Sequence, residues 1–162
     1  MSPRTRKNRV LAIDPGYDRV GIAVMEGATL LYSDCFSPPK DIHAKRLGSV
    51  FHRVTETIRE YAPDALALET LFFSKNQKTA IKVAEARGAI SVAAAIAGIP
   101  VFEYSPQEVK IAVTGSGNAA KEGVKRMVER LVPLPEKRRL DDEYDAIALA
   151  IAHTARTRIE GV

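Results

Sequence analysis

The chain has 162 residues, 46% hydrophobic and 27% charged, which suits one globular domain with its own core and leaves too little for two. A formal net charge of +4 at pH 7 suits an anionic partner, although a basic surface also serves solubility alone. The single cysteine, Cys35, excludes an internal disulfide, no apolar run is long enough to span a bilayer and no signal-peptide pattern opens the chain, so a reducing, cytoplasmic setting is expected.

A cationic segment, "PRTRKNR" at 3–9, makes residues 1–9 an expected flexible basic tail. Residues 10–14 then read as a buried strand that ends on Asp14, followed at once by Pro15 and Gly16. "GIAVMEG" (21–27) and "TLLYSDCF" (29–36) read as two further strands, and the turn at Gly27-Ala28 predicts an antiparallel meander. Leu47, Val50, Phe51, Val54, Ile58 and Tyr61 recur at helical spacing over 42–61, and Pro63 stops that helix. "DALALET" (64–70) is the fourth strand and "LFFSKNQ" (71–77) a loop. An alanine-rich helix over 78–97 ends at Gly98 and Pro100, and "PVFEYS" (100–105) is the fifth strand. Pro106 opens a short helix to about Val113, before the glycine loop "TGSGN" (114–118). A helix over 119–131, the linker "PLPEKRRL" (133–140) and a last helix over 142–157 follow, leaving 158–162 as a short tail. This order predicts one α/β domain over 10–157: a five-stranded mixed sheet, its first three strands antiparallel, with helices on both faces.

Strand alternation places Val10, Ala12 and Asp14 on one face of the first strand, and Ala65, Ala67 and Glu69 on one face of the fourth. Both acids therefore end apolar strands at carboxyl edges, where open α/β sheets bind ligands. The last helix opens "DDEYDAIALAIAH", in which Asp142 and Asp145 share a face. Asp141 and Asp142 equally suit a helix start, whereas Asp145 lies too deep for capping. Four converging carboxylates, Asp14, Glu69, Asp142 and Asp145, would repel one another unless cations balance them. Hard oxygen donors without a histidine or cysteine cluster point to Mg²⁺, with Mn²⁺ as a substitute. Two such ions about 4 Å apart would support hydrolysis of a phosphodiester with no covalent enzyme intermediate.

The ordered set "IDPGYDRVGIAV", "ALETLFFSKN", "ARGAI", "VFEYSPQEVK", "GSGNAAK" and "DDEYDAIALAIAH" resembles the RuvC family of Holliday junction resolvases, which have an RNase H-like fold. The match covers about residues 10 to 155. It implies a metal-dependent endonuclease that cuts four-way DNA junctions symmetrically as a homodimer, with a RuvA–RuvB branch-migration complex as a possible partner. It also implies Asp14, Glu69, Asp142 and Asp145 as the catalytic metal-binding set; the choice of Asp142 over Asp141 follows from the family's spacing to Asp145. Two departures stand out: the basic tail before the first strand, and a C-terminus that ends soon after the last helix.

Phe72 and Phe73 adjoin Glu69 and precede Lys75 and Asn76. An aromatic side chain in such a loop can stack on a base of an opened junction, and a lysine can neutralise phosphate. The resemblance assigns stacking to Phe72, leaving Phe73 as the expected core ring. It also gives Lys110, and Lys121 behind the glycine loop, roles near the DNA strand, with Lys82 and Arg87 as further candidates for backbone contact or a subunit interface. Without the resemblance, each of these cations also reads as an ordinary surface residue. A YqgF-type nuclease acting on RNA shares the opening strand, but "FFSKN" and the paired acids of "DDEYD" disfavour it. A non-catalytic junction-binding protein would not need all four acids. An actin-type ATPase needs two duplicated domains, more than this length provides.

Overall fold

The computed structural model describes residues 8–71 and 77–160. Its elements are β1 (Arg9–Asp14), β2 (Val20–Glu26), β3 (Thr29–Phe36), α1 (His43–Tyr61), β4 (Ala65–Glu69), α2 (Gln77–Ala97), β5 (Val101–Tyr104), α3 (Pro106–Thr114), α4 (Lys121–Leu131) and α5 (Asp141–Glu160). The strands form one sheet in the order β3-β2-β1-β4-β5. The first three are antiparallel, and β4 and β5 continue the sheet in parallel with β1. This is the mixed sheet expected from the sequence.

The sheet divides the core into two by strand alternation. Leu11, Ile13, Ile22, Val24, Leu66 and Leu68 face one side, where Val50, Val54 and Ile58 of α1 and Ile90, Ala93 and Ala94 of α2 cover them. Val10, Ala12, Ala23, Met25 and Ala67 face the other, under α3, α4 and α5. On that second side the sheet offers small residues, and α5 answers with Ala146, Ala150 and Ala152. Small against small lets the helix axis approach the sheet closely.

Most boundaries shift from the sequence reading by a residue or two, and three of these shifts have a visible cause. Arg9 belongs to β1 rather than to a tail, because it pairs with Glu26 across the meander and its backbone N–H donates to Asp64 at 2.9 Å. α4 begins at Lys121, not residue 119, since Ala120 is still extended (ψ 158°) after the turn that joins Ala119 N–H to the Ser116 carbonyl. α5 runs on to Glu160, so residues 158–160 are helical; the Arg156–Glu160 ion pair at 2.9 Å supports that last turn. Residues 1–7 of the basic tail, and Phe72, Phe73, Lys75 and Asn76, lie outside the described residues. Among the described residues no helix is long and apolar enough to cross a membrane.

Candidate active site

Asp14 and Glu69 end neighbouring parallel strands in register. Ile13 pairs with Leu68, so the two acids that follow stand side by side at the carboxyl edge. Ala12 and Ala67, two residues earlier, face the α3–α5 layer, and the acids project the same way. Their side chains are hydrogen-bonded to each other. Burial pushes the Asp14 carboxyl up to about 10, helped by the bond to Glu69 and by the charges of Glu69, Asp145 and Asp142. Burial and the neighbouring negative charges thus favour the protonated form of Asp14.

α5 brings the other two acids. Gly21 lies opposite Asp14 in the β1–β2 ladder. A Cβ at that glycine would sit 1.9 Å from the Asp142 carbonyl oxygen and 3.3 Å from Ala146 Cβ. The missing side chain is what allows the first turn of α5 to rest on β2. Asp145 is pushed up to about 6, first by burial and then by the charges of Glu69, Asp142 and Asp141, while Lys121 acts in the opposite direction. Asp142 lies beside β3 and the β1–β2 loop: Arg19 Nε is 2.9 Å from its Oδ2, and Cys35 Sγ is 4.0 Å away. Asp141, one residue earlier, lines a neighbouring cleft with Lys121, Lys125 and Tyr144 that shares Asp145 with the site. Of the two, Asp142 is the one whose charge acts on Asp14.

A cavity of about 200 Å³ opens beside these acids, lined by Glu69 and Asp145 together with Lys110 and Lys121. Lys110 sits in α3, whose start is fixed by a capping box: the Ser105 hydroxyl accepts from Glu108 N–H at 3.1 Å, and the Glu108 carboxylate accepts from Ser105 N–H at 2.6 Å. Lys121 is the first residue of α4, and Ala120 supplies no side-chain cap there. Hence backbone N–H groups of α4's first turn are left for an outside acceptor.

The same first turn of α5 is anchored from behind. Glu143 is buried among polar partners: Ser33 Oγ donates to it at 2.6 Å, Lys137 Nζ lies at 2.6 Å and Arg139 Nε at 3.5 Å. Lys137 also donates to the Ser33 carbonyl at 2.9 Å, and Arg139 Nη2 to the Pro135 carbonyl at 2.8 Å. Two cations of the "EKRR" cluster are thereby committed to the protein and fix the rotation of α5 about its axis.

The donor set fits a divalent metal. It consists of carboxylates alone, and burial, reinforced by the neighbouring carboxylates, raises the pKa of one of them, Asp14. Among the described residues no three such side chains form a finished metal cluster. The reason is visible in the contacts: Asp14 and Glu69 bond to each other, and Asp142 is paired with Arg19.

Two of the expected cations are placed differently from Lys110 and Lys121. Arg87 Nε donates to the backbone carbonyl of Glu69 at 2.9 Å, and its Nη2 pairs with Glu103. It thus fixes the end of β4 from α2, with its hydrogen bonds directed into the protein. Lys82 lies over the Tyr17 ring, 4.4 Å from its centroid. The sequence reading missed Gly21, Arg19 and Glu143. Arg19 and Gly21 lie within the quoted "IDPGYDRVGIAV" and Glu143 within "DDEYD", so the signal was their position inside the acidic motifs.

The sequence model of the family described as crossover junction endodeoxyribonuclease RuvC matches residues 10–153. A protein of that name from Moorella thermoacetica is 45% identical over 151 residues, covering 90% of each chain. One from Thermotoga petrophila is 41% identical over 159 residues, covering 95% of this chain and 96% of its own. Thermus thermophilus RuvC, solved in complex with a Holliday junction substrate, superposes with a TM-score of 0.87 at 37% identity, covering 94% of this chain and 96% of its own. A yeast mitochondrial Holliday junction resolvase shares the fold at a TM-score of 0.67 and 13% identity, covering 95% of this chain and 82% of its own.

Proposed function

The chain belongs to the RuvC family of crossover junction endodeoxyribonucleases, and from that premise we propose that it resolves four-way DNA junctions as a homodimer, by symmetric paired incisions. The observation that carries this reading is the meeting of Asp14, Glu69 and Asp145 with Asp142 beside two lysines. One nuclease domain spans the sheet and its five helices.

Asp14, Glu69, Asp142 and Asp145 would hold the metal, Mg²⁺ with Mn²⁺ as a substitute and two ions per site. When bound, it supplies an activated water and stabilises the leaving oxygen of the phosphodiester. The protein's own groups do the rest. Asp14 gives up the proton it shares with Glu69, which turns the pair into two charged ligands. Lys110 and Lys121 bind the phosphate that enters the cavity, and the uncapped start of α4 offers N–H donors on the same side. Phe72, Lys75 and Asn76 engage the strand next to Glu69, Phe72 by stacking.

α2 offers the surface for a second copy. Ile81, Val92 and Ile96 stand exposed on it, although the helix is apolar enough to be buried all round. With Ala84 and Gly88, also exposed, they form a stripe at helical spacing. A two-fold axis there would set two active sites against symmetry-related strands of a junction.

The test is to incubate the protein in Mg²⁺ with a mobile four-way junction, a linear duplex and an RNA/DNA hybrid. Cleavage confined to the junction, in paired symmetric cuts, is expected. Asp14→Asn should abolish it while junction binding persists. Equal cutting of the hybrid, or normal cutting by Asp14→Asn, would overturn the reading.

A further inference from the structure

Asp142 alone among the four acids has an ion-pair partner among the described residues, and that partner is Arg19. The contact is a charge-assisted hydrogen bond at 2.9 Å, and a guanidinium keeps its charge at any working pH. A cation at Asp142 must therefore displace or share with a positive group that is already there. Its neighbours Asp14 and Glu69 have no such competitor among the described residues; their side chains bond to each other.

The structure also shows how Arg19 can leave. Its backbone is fixed. A Cβ on Gly16 would lie 2.1 Å from the Arg19 carbonyl oxygen, so the β1–β2 loop folds tightly back on itself. Buried Arg46 of α1 holds the middle of that loop, donating to the Tyr17 carbonyl at 2.9 Å and to Asp18 Oδ1 at 3.0 Å, with its guanidinium over the Tyr17 ring. The Arg19 side chain, by contrast, is 51% exposed. It can rotate about a firm pivot into solvent without disturbing the loop. Turned outward, its planar fork would suit phosphate oxygens.

From this we infer that Arg19 is a resident counter-ion of Asp142 which yields to the divalent metal and, once released, grips a phosphate of the DNA strand. It links the two binding events: metal loading frees a DNA contact, and DNA draws away the group that competes with the metal. By reciprocity each ligand raises the affinity for the other. The inference rests on the metal-site reading above.

The experiment is a set of calorimetric Mn²⁺ titrations into DNA-free protein, paired with junction-binding measurements in EDTA and in Ca²⁺. Arg19→Gln removes the competitor at an exposed position, so Mn²⁺ should bind about two- to fivefold more tightly than in wild type. Arg19→Lys keeps the charge and should track wild type. In an Asp142→Asn background, Arg19→Gln should have no effect. In EDTA, where Asp142 competes for Arg19, wild type should hold the junction only slightly more tightly than Arg19→Gln; in Ca²⁺ its advantage should widen. Unchanged Mn²⁺ affinity in Arg19→Gln, or the same tightening in the Asp142→Asn background, would overturn the counter-ion role. An equal Ca²⁺ gain in both proteins would overturn the phosphate role. Wild-type protein that takes up no Mn²⁺ would instead defeat the metal-site reading itself, and this inference with it.

Discussion

The Asp14 carboxyl sits at the end of β1, partly buried among the other acids. In the metal-free fold that carboxyl is pushed up to about 10, and Asp145 to about 6. Unfolded, both would titrate near pH 3.9. Between those values the folded protein binds more protons than the unfolded chain, so stability falls as pH rises. The favourable contribution is complete below about pH 4; the share of Asp145 is lost by about pH 6 and that of Asp14 continues to decline above it. Thermal melts in EDTA should therefore show the metal-free protein less stable at pH 8 than at pH 5, with Asp14→Asn flattening the decline and Mg²⁺ raising the wild-type melting temperature at pH 8. A melting temperature that rises with pH in EDTA would contradict this. Glu143 is the contrasting acid, hydrogen-bonded by Ser33 and ion-paired with Lys137 and Arg139. Glu143→Ala strands the buried Arg139 side chain and should cost about 3 kcal/mol in urea unfolding. Lys137→Ala removes a half-exposed partner and should cost about 1 kcal/mol or less.

Among the elements, α5 and β2 decide whether the site exists. The Asp142 carbonyl fills the space that a side chain on Gly21 would need. Gly21→Ala must therefore push the first turn of α5 outward by more than an ångström, and misplacement on that scale costs about 100-fold in rate. Single-turnover cleavage should fall by that order while junction affinity is kept; unchanged cleavage would show that α5 is not held by this contact. The placement of these acids at one edge was legible because strand alternation and helical spacing are local rules. Period two puts Asp14 and Glu69 on like faces of their strands, and Asp142 shares a helical face with Asp145, but the choice of Asp142 over Asp141 came from the resemblance. Gly21 was not legible, since its role depends on a helix more than a hundred residues away. Arg19 and Glu143 were hidden for the same reason: each reads as one more charge in a polar stretch until the fold supplies its partner. The end of α5 was set too early because Thr157, with its hydroxyl bonded back to the His153 carbonyl at 3.1 Å, and Arg156 extend a helix that composition alone does not.

On the scale of the whole molecule, the sheet keeps two tasks apart. α3, α4 and α5 lie on the face that carries the acids, and α1 and α2 on the face behind. Under the proposed dimer, a change on the outer side of α2 would alter assembly without touching the chemistry. Val92→Arg combined with Ile96→Glu should yield a monomer in sedimentation, with folding intact. Such a protein should nick a junction once rather than cut it in pairs. A double variant that still sediments as a dimer would place the interface elsewhere.

The four acids span residues 14 to 145, and α5, which completes them, is seated by the gap at Gly21 on β2. A ribosome must therefore release nearly the whole fold before any catalytic centre can close. A nascent chain that stops before Asp142 lacks both acids of α5, and one that stops before Glu69 carries Asp14 alone. Interrupted synthesis thus leaves the proposed metal site without the ligands that the last helix brings.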